Sequence, residues 1–231
     1  MSLKTRIRNW LVYPHRIAAV RGWLRADRPR LLDVGCGNGS PTSTRRCLPG
    51  CEYHGIDHTR WARSEEDDRN MDRFFDIDLE RPQALDAVPD GAYDAVICSH
   101  VLEHLSNPEA VLREVLKKVK PGGVLYIEVP SRRSLTLPRA RHGWMGIRGC
   151  LNFYDDATHK TLVDLSMVAR ILSDSGFRVG ATRPRRMWRR VWLLPVYMAG
   201  GLLMKGYIPA AVLWDVTGFA EYLTAVRQET R

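Results

Sequence analysis

The sequence predicts an α/β fold in which helices cover both faces of a mostly parallel β-sheet. Apolar, strand-like runs alternate with helical patterns along most of the chain, and this alternation favours parallel strands joined by helices. A glycine-rich turn follows the first apolar run, and the second run ends in an acidic residue. Features in these places are typical of a doubly wound sheet that binds a nucleotide at the carboxyl ends of its strands.

The glycine-rich turn belongs to the stretch LLDVGCGNG, residues 31–39. Its three glycines let the backbone adopt positive φ angles and let a ligand approach the main chain closely. The next run, EYHGID, ends at Asp57, where a doubly wound sheet places a carboxylate that binds ribose hydroxyls. The spacing departs from the dinucleotide fingerprint, because the third glycine comes two residues after the second. An aspartate, Asp33, also lies two residues before the first glycine.

The other elements are predicted from apolar runs and turn residues. Further strands are predicted over 52–57, 74–79, 93–99, 124–129, 177–182 and 222–227. Helices are predicted from Ser40 onward, over 108–119 and over 165–175, and Gly176 ends the last of them. Residues 59–73 are very polar and are predicted to form a loop, and 131–160 form an irregular stretch.

The chain is predicted to have four parts. They are an N-terminal amphipathic helical segment (1–28), a core (29–183), an apolar and basic insertion (184–218) and the final strand of the core (219–231). Pro14 divides the first segment into two helices. Two interpretations of that segment stay open: a basic helix lying on a membrane with Trp10 and Trp23 at the interface, or a helix covering the sheet or the site.

Composition limits the partners and the compartment. The 231 residues carry a net charge of +9, which favours an anionic partner such as a membrane surface, nucleic acid or an acidic substrate. The five cysteines form no C-x-x-C pair, which indicates a reducing compartment without a disulfide framework or a zinc site. The N-terminus lacks an apolar run typical of a secretory signal, so a cytoplasmic location is predicted.

Several motifs resemble one family. LLDVGCGNG, HGID, DIDLERP, YDAVICSHVLEHL and LKKVKPGGVLYIEVPS resemble the class I S-adenosylmethionine-dependent methyltransferases, and the last two resemble their methyltransferase-11 type, a small-molecule and glycan branch. The resemblance covers roughly residues 29–183. It implies a Rossmann-like, seven-stranded, mostly parallel sheet, with the insertion between strands six and seven, and S-adenosylmethionine as the cofactor.

The resemblance also implies which residues bind the cofactor. They are Asp33, Gly35, Gly37, Gly39, Asp57, Asp78, Leu79 and Ser99. The glycines would wrap the methionine part, with Asp33 facing its amino group. Asp57 would accept both ribose hydroxyls, Asp78 and Leu79 would bind the adenine edge, and Ser99 would lie beside the sulfonium. Two alternatives stay open: Asp76 in place of Asp78, and Ser99 as a helix cap.

A catalytic base is required when the methyl acceptor is a hydroxyl. His100 and His159 are the predicted catalytic residues; His142, Asp155 and Asp156 are further candidates. Stretches similar to the one ending at His159 occur in methyltransferases that act on sugars, and the alternative is that this histidine caps the next helix or binds backbone. The run His100-x-x-Glu103-His104 is not the zinc-protease motif. Residues of its type recur in this family without metal, so no metal is expected.

The insertion raises the question of a membrane span. Lys205 inside it would cost about 2.5–3.5 kcal/mol at a bilayer centre, and Pro195 and Pro209 divide the run. Two short apolar helices that dip into one leaflet are therefore predicted. The arginines at 183, 185, 186, 189 and 190 would then meet lipid head groups. A lid over the site and a subunit contact are the alternatives.

The function implied is methyl transfer from S-adenosylmethionine, most readily to an oxygen of a small-molecule, sugar or lipid-linked acceptor. An anionic membrane surface is a further expected partner, with peripheral attachment to the inner face of the membrane. Nucleic acid is disfavoured because no aromatic-spaced RNA-binding motif is present. RNA or protein methylation and a non-catalytic membrane or nucleic-acid adaptor remain alternatives, and the sequence indicates no oligomeric state.

Overall fold

The computed structural model describes residues 11, 13–58 and 64–229, and these form an α/β fold around one central sheet. In chain order the strands are β1 (Arg30–Val34), β2 (Glu52–Asp57), β3 (Arg73–Asp76), β4 (Tyr93–Ser99), β5 (Val119–Pro130), β6 (Ile147–Arg148), β7 (Phe177–Val179), β8 (Arg183–Pro184), β9 (Ile208–Pro209) and β10 (Ala220–Arg227). The central sheet has the order β3-β2-β1-β4-β5-β10-β7, and β8 pairs with the start of β10. Only β10 runs antiparallel to its neighbours β5 and β7, so the predicted fold class is confirmed.

Helices lie on both faces of this sheet. They are α1 (His15–Arg21), α2 (Ser40–Cys47), α3 (Glu65–Arg69), α4 (Pro108–Lys118), α5 (Leu165–Asp174), α6 (Trp188–Trp192), α7 (Leu194–Lys205) and α8 (Trp214–Thr217). On one face, α4 and α5 bury Val115 and Leu172 against strand residues such as Val96. On the other face, α1 buries Ile17 and Val20 among strand side chains.

Local sequence explains where the longer helices begin and end. Pro108 occupies the first turn of α4, and the side chain of Asn107 accepts a hydrogen bond from the Ala110 N–H. The Asp164 side chain caps α5 in the same way. Gly176, with φ of +80°, follows α5 and lets the chain turn into β7.

The structure corrects the ends of two predicted strands. The third strand ends at Asp76 rather than at residue 79, and the sixth ends at Val179. The two residues of β8 continue along β10 after the chain leaves β7. Within the stretch predicted to be a loop, Ser64 caps the short helix α3 by accepting a hydrogen bond from the Asp67 N–H; residues 59–63 lie outside the described residues.

The N-terminal segment is described only in part. Helix α1 follows Pro14 and covers the sheet, with the His15 ring 2.8 Å from the Tyr126 hydroxyl. Its inner face is therefore used against β5, as the covering interpretation predicts. Trp10 lies outside the described residues, and Trp23 is 39 % exposed after α1.

The insertion lies between β7 and β10 and packs against the irregular stretch 131–160. Strand β9 of the insertion pairs with β6 of that stretch, and Ile208 and Ala210 share a small apolar cluster with Leu151. The Trp214 indole N–H donates to the Cys150 carbonyl at 2.8 Å. Among the described residues, no helix has both the length and the apolar character needed to cross a membrane.

A buried carboxylate, Asp215, holds the two ends of the insertion together. It accepts hydrogen bonds from the guanidinium groups of Arg185 at 3.1 Å and Arg190 at 3.4 Å, and from the Met187 N–H at 2.8 Å. Arg189 donates to the Tyr13 carbonyl. The prediction that these arginines meet lipid head groups is therefore wrong for Arg185, which is buried, because carboxylates inside the protein hold its guanidinium.

We expect Asp215→Ala to lower the free energy of unfolding by about 3–5 kcal/mol, because it leaves the buried Arg185 charge uncompensated. Urea denaturation measures the change. Asp174→Ala is the matched control: this aspartate is exposed at the end of α5, and its removal should change stability by less than about 0.5 kcal/mol. Equal stability of the two variants would show that the buried contacts of Asp215 contribute nothing net.

Candidate functional site

The glycine loop after β1 keeps an open space beside the backbone. Gly35, Gly37 and Gly39 have φ of +68°, +51° and +79°, values that favour glycine. A Cβ added at Gly35 would lie 2.4 Å from Val101 Cγ2, so a side chain there would displace the chain after β4. A Cβ at Gly37 or Gly39 would meet no atom within 4 Å and would instead enter open space. The glycines therefore leave room for a ligand to contact the main chain.

Two acidic side chains hold this loop from outside. Asp57 accepts hydrogen bonds from the Gly37 N–H at 2.9 Å and the His58 N–H at 2.8 Å. Asp67 accepts one from the Gly39 N–H at 2.9 Å and others from Thr42. Burial would raise the pKa of Asp67, but these hydrogen bonds outweigh burial and lower it. The carboxylates therefore fix the loop in its open form.

Asp67 is a site residue that sequence reasoning missed. It lies in the polar stretch 59–73, where a loop was predicted. The signal was available, because a serine followed three residues later by an acid is a helix-start pattern. Asp33 adds a third support at the end of β1: its carboxylate accepts hydrogen bonds from the Tyr53 hydroxyl at 2.7 Å and from the Ser40 hydroxyl.

Two adjoining clefts lie along the carboxyl ends of β1, β2 and β4. The first, of about 450 Å³, runs beside the glycine loop, and Asp33, Ser99, Arg16 and Arg190 are among its lining residues. The second, of about 600 Å³, is lined by Asp57, Asp78, Leu79, Val101 and others. Gly35 and His100 line both clefts, so together they form one elongated groove.

The predicted cofactor residues thus meet along this groove, although each role stays a prediction. Asp78 lines the groove and Asp76 is absent from its lining, so the geometry favours Asp78 of the two alternatives. Ser99 ends β4 and caps no helix: the 3-10 helix Leu102–His104 follows Val101 without a side-chain cap. The capping alternative for Ser99 is therefore wrong.

His100 lies where the two clefts meet and is held between two carboxylates. Its Nδ1 is 2.9 Å from Glu103 Oε1 and its Nε2 is 2.9 Å from Glu128 Oε1. Burial lowers the pKa of His100, but the hydrogen bonds and charges of both glutamates raise it to about 9. The imidazole is then a cation whose two N–H groups each donate a hydrogen bond, so neither nitrogen can accept a proton. Its backbone φ of +56° is rare for a side chain of this size.

Glu128 continues this chain of charges into the insertion. It lies on β5, accepts a hydrogen bond from the Tyr126 hydroxyl and has Arg185 Nη1 at 3.8 Å. Burial would raise the pKa of Glu128, but Arg185 and His100 outweigh burial and lower it strongly. The Trp214 ring of α8 packs on the His100 ring at 4.9 Å. The insertion therefore forms one wall of the site.

His159, unlike His100, has a ring nitrogen that can accept a proton. Its Nδ1 lies 2.6 Å from the Phe153 carbonyl oxygen, and a carbonyl only accepts, so Nδ1 carries the proton and Nε2 carries the lone pair of the neutral ring. The ring lies 4.8 Å from that of His104, which lines the second cleft. His159 caps no helix, since Asp164 caps the helix that follows. The capping alternative for His159 is therefore wrong, but the other alternative, that its ring binds backbone, is confirmed at Nδ1.

The other candidate bases are placed differently. His142 is exposed. Neither His142 nor His159 is among the residues that line the two clefts, but the His159 ring lies against that of the cleft-lining His104. Asp155 is buried and accepts three backbone N–H groups, those of Ala140, Leu151 and Asn152, at 2.8–2.9 Å. Burial would raise the pKa of Asp155, and these hydrogen bonds lower it. Asp155 therefore has a structural role. Asp156 accepts hydrogen bonds from the N–H and the hydroxyl of Thr158. His159 is retained as the candidate base because its ring lies beside the cleft-lining His104.

A third cleft, of about 460 Å³, lies where β5 ends and the insertion returns to the sheet. Arg132, Arg133 and Arg186 converge on it from two separate segments, and Glu221 is the one acidic residue in its lining. All three arginines are exposed. No carboxylate of the described residues lies within 4.0 Å of their guanidinium groups. This basic cleft therefore carries a net positive charge at the surface.

Comparison with known proteins identifies the family of the chain. The profile of a family described as a methyltransferase domain matches residues 4–182. Curated relatives include the ubiquinone biosynthesis O-methyltransferases of Ralstonia nicotianae, 32 % identical over 127 residues, and Burkholderia vietnamiensis, 31 % identical over 125 residues. These alignments cover 52 % and 51 % of this chain and 53 % of each relative, so the chain spans about half the length of the curated relatives it matches.

Solved structures resemble the chain over most of its length. An S-adenosylmethionine-dependent methyltransferase from Mesorhizobium loti has a TM-score of 0.63 at 15 % identity, with 93 % of this chain and 98 % of that chain covered. One from Archaeoglobus fulgidus has a TM-score of 0.56 at 21 % identity, with 97 % and 93 % covered. At such identities the likeness shows a shared fold.

We expect Asp57→Ala to weaken S-adenosylmethionine binding by about 1–3 kcal/mol, because charge-assisted hydrogen bonds to the ligand and to the loop are lost. Gly37→Val should nearly abolish binding, since its side chain would enter the open space beside the loop. Isothermal titration calorimetry measures both. Asp76→Ala is the control: this exposed aspartate pairs with Asp57 across the strands and lies outside the groove lining. Equal affinities of the Asp57 and Asp76 variants would contradict the assignment.

Proposed function

Because the chain belongs to the class I S-adenosylmethionine-dependent methyltransferases, we propose that it methylates a hydroxyl oxygen on a small-molecule, sugar or lipid-linked acceptor. One observation carries the choice of acceptor: the His159 ring, whose Nε2 holds the lone pair, lies 4.8 Å from the ring of His104, which lines the second cleft. Such a group is useful when the acceptor atom must lose a proton. The relatives named as O-methyltransferases support the same acceptor atom.

The residues of the groove fit S-adenosylmethionine, which supplies an activated methyl group on its sulfonium. The open space at Gly37 and Gly39 admits the methionine part beside the main chain. Asp33 faces the positive amino end, while Arg16 and Arg190 at the same end favour the carboxylate. Asp57 offers two carboxylate oxygens to the ribose, and Asp78 with Leu79 borders the adenine end.

The remaining residues align the reactants and exclude water. The His100 imidazolium, fixed by Glu103 and Glu128, forms the floor between the two clefts. Trp214 packs on it from the insertion side. We therefore assign His100 a positioning role, in place of the base role that the sequence predicted, and we assign proton removal from the acceptor hydroxyl to His159.

We expect His159→Ala to lower methyl transfer by about 10²–10⁴-fold, the range typical of a lost general base, with cofactor affinity almost unchanged. Transfer of a labelled methyl group to a panel of simple acceptors (a phenol, a hexose and a prenylated phenol) measures it. His142→Ala is the matched control and should retain full transfer. His100→Ala should instead weaken cofactor binding, because Glu103 and Glu128 lose the cation between them. Full transfer by the His159 variant across pH 6–9 would exclude it as the base.

The exposed surface of the insertion supports contact with an anionic membrane. Leu203 and Met204 on α7 are 88 % and 86 % exposed, and Trp188 and Trp192 on α6 are 60 % and 78 % exposed. Exposed apolar patches of this kind mark interaction surfaces. The basic cleft, with Arg186 two residues before Trp188, adds charge that an anionic surface attracts. The protein is proposed to lie on the inner membrane face, in the reducing compartment that the spacing of its cysteines indicates.

We expect the protein to sediment with phosphatidylglycerol vesicles much more than with phosphatidylcholine vesicles, and less as salt is added. Arg132→Ala with Arg186→Ala should weaken this binding, and Leu203→Ser with Met204→Ser should weaken it further. The control removes the same charge from exposed helix positions, Arg113→Ala with Arg170→Ala, and should leave sedimentation unchanged. A protein that ignores anionic vesicles at low salt would contradict membrane contact and leave a lid or subunit surface.

A further inference from the structure

Three side chains beside the groove bring metal-ligating atoms together. Glu103 and His104 lie on the 3-10 helix after β4, and His159 follows the 3-10 helix Phe153–Asp155. One donor atom from each of the three lies within 4.8 Å of the others. The two segments are joined directly, because the Glu103 carbonyl accepts the N–H groups of Lys160 at 2.8 Å and Thr161 at 3.2 Å. Their proximity is therefore built into the backbone.

The hydrogen bonds around the two histidines orient the same nitrogen toward the cluster. The Thr158 hydroxyl donates to Asp156 at 2.6 Å, so its oxygen accepts from His104 Nδ1, which lies 2.8 Å away. The Phe153 carbonyl accepts from His159 Nδ1. In both neutral rings Nε2 therefore holds the lone pair. A protein partner on the far nitrogen is the arrangement that fixes metal-binding histidines in their ligating tautomer.

The carboxylate supplies the third donor. Glu103 is fully buried, and one oxygen, Oε1, accepts from His100. Its other oxygen, Oε2, is buried and has no hydrogen-bond partner among the described residues. A buried carboxylate oxygen is costly to leave without a partner, and a bound cation would provide one. This observation is independent of the two histidines.

From this geometry we propose that Glu103, His104 and His159 bind one divalent transition-metal ion of the Zn²⁺ class. Two imidazole nitrogens and one carboxylate suit such ions, and three protein ligands leave a coordination position open. His104 lines the second cleft, so the proposed metal adjoins the groove at this ligand. The donor atoms must approach by small side-chain rotations, since ligands of one zinc ion lie closer together than 4.8 Å.

The metal deepens the proposed function and rests on it. An acceptor hydroxyl in the open position has a lowered pKa, so its proton leaves to water. The oxygen then forms a bond to the methyl carbon as the carbon–sulfur bond breaks, and sulfur keeps the electron pair. In this arrangement the lone pair of His159 binds the metal and does not take the proton of the acceptor hydroxyl. This proposal departs from the expectation, drawn from the sequence, that no metal is bound.

The test uses the full chain after removal of metal with a chelator. Titration with Co²⁺ followed by absorption, and with Zn²⁺ followed by calorimetry, should show one saturable site. His104→Ala, His159→Ala and Glu103→Gln should each weaken metal binding by at least about tenfold, and His142→Ala should not. Since Glu103→Gln also disturbs His100, the two histidine variants carry the conclusion. Their circular dichroism and cofactor affinity verify that they are folded.

Binding that stays equally tight in the His104→Ala, His159→Ala double variant overturns the proposal, as does the absence of a one-to-one site. Methyl transfer measured in parallel separates this outcome from failure of the proposed function. If methyl transfer stays full in the presence of chelator but is lost in His159→Ala, the metal proposal is wrong and His159 acts as the base. Transfer that falls on chelation and returns with Zn²⁺ supports the metal. Absence of transfer to any acceptor, with Co²⁺ bound at one site, supports the metal site and counts against the proposed acceptor class.

Discussion

A line of alternating charges through the interior is the interaction on which the site depends. It runs from Glu103 to His100, Glu128, Arg185 and Asp215, and it ends at Arg190. Buried charges are costly unless each has an opposite partner, so no member can be moved alone. The line joins β4, β5 and the insertion and passes beneath the groove. The arrangement of side chains at the site and the packing of the insertion therefore depend on the same buried charges.

This arrangement explains why the insertion is more than an appendage. Its arginines would be free to meet lipid if the segment were a simple surface anchor. Instead Arg185 is buried, Arg190 borders the glycine loop, and Trp214 packs on His100. The surface left for an outside partner is the apolar side of α7 together with the basic cleft. One segment thus builds the wall of the site on its inner side and presents an apolar and cationic surface on its outer side.

The conformation of the glycine loop depends on both local and distant parts of the sequence. Its open conformation requires glycine because of the positive φ angles, and that requirement is visible in the sequence. What keeps the loop rigid is distant in sequence: Asp57 at the end of β2 and Asp67 on α3 accept its N–H groups. A polar stretch that looks like a loop therefore supplies a support of the cofactor groove.

The sequence by itself determined the fold and the cofactor side of the groove. Alternating strands and helices, the glycine turn and the acids at strand ends are local patterns, and local backbone geometry fixes what they build. Only the tertiary structure decided the states of the charged side chains. His100 is a cation because Glu128, on another strand, accepts a hydrogen bond from its ring. Arg185 is buried because Asp215 binds its guanidinium group inside the protein. The metal-ligating atoms of Glu103, His104 and His159 lie close together because backbone hydrogen bonds join the two segments that carry them. Protonation, burial and ligation depend on neighbours that are remote along the chain, and a linear pattern does not specify which neighbours those are.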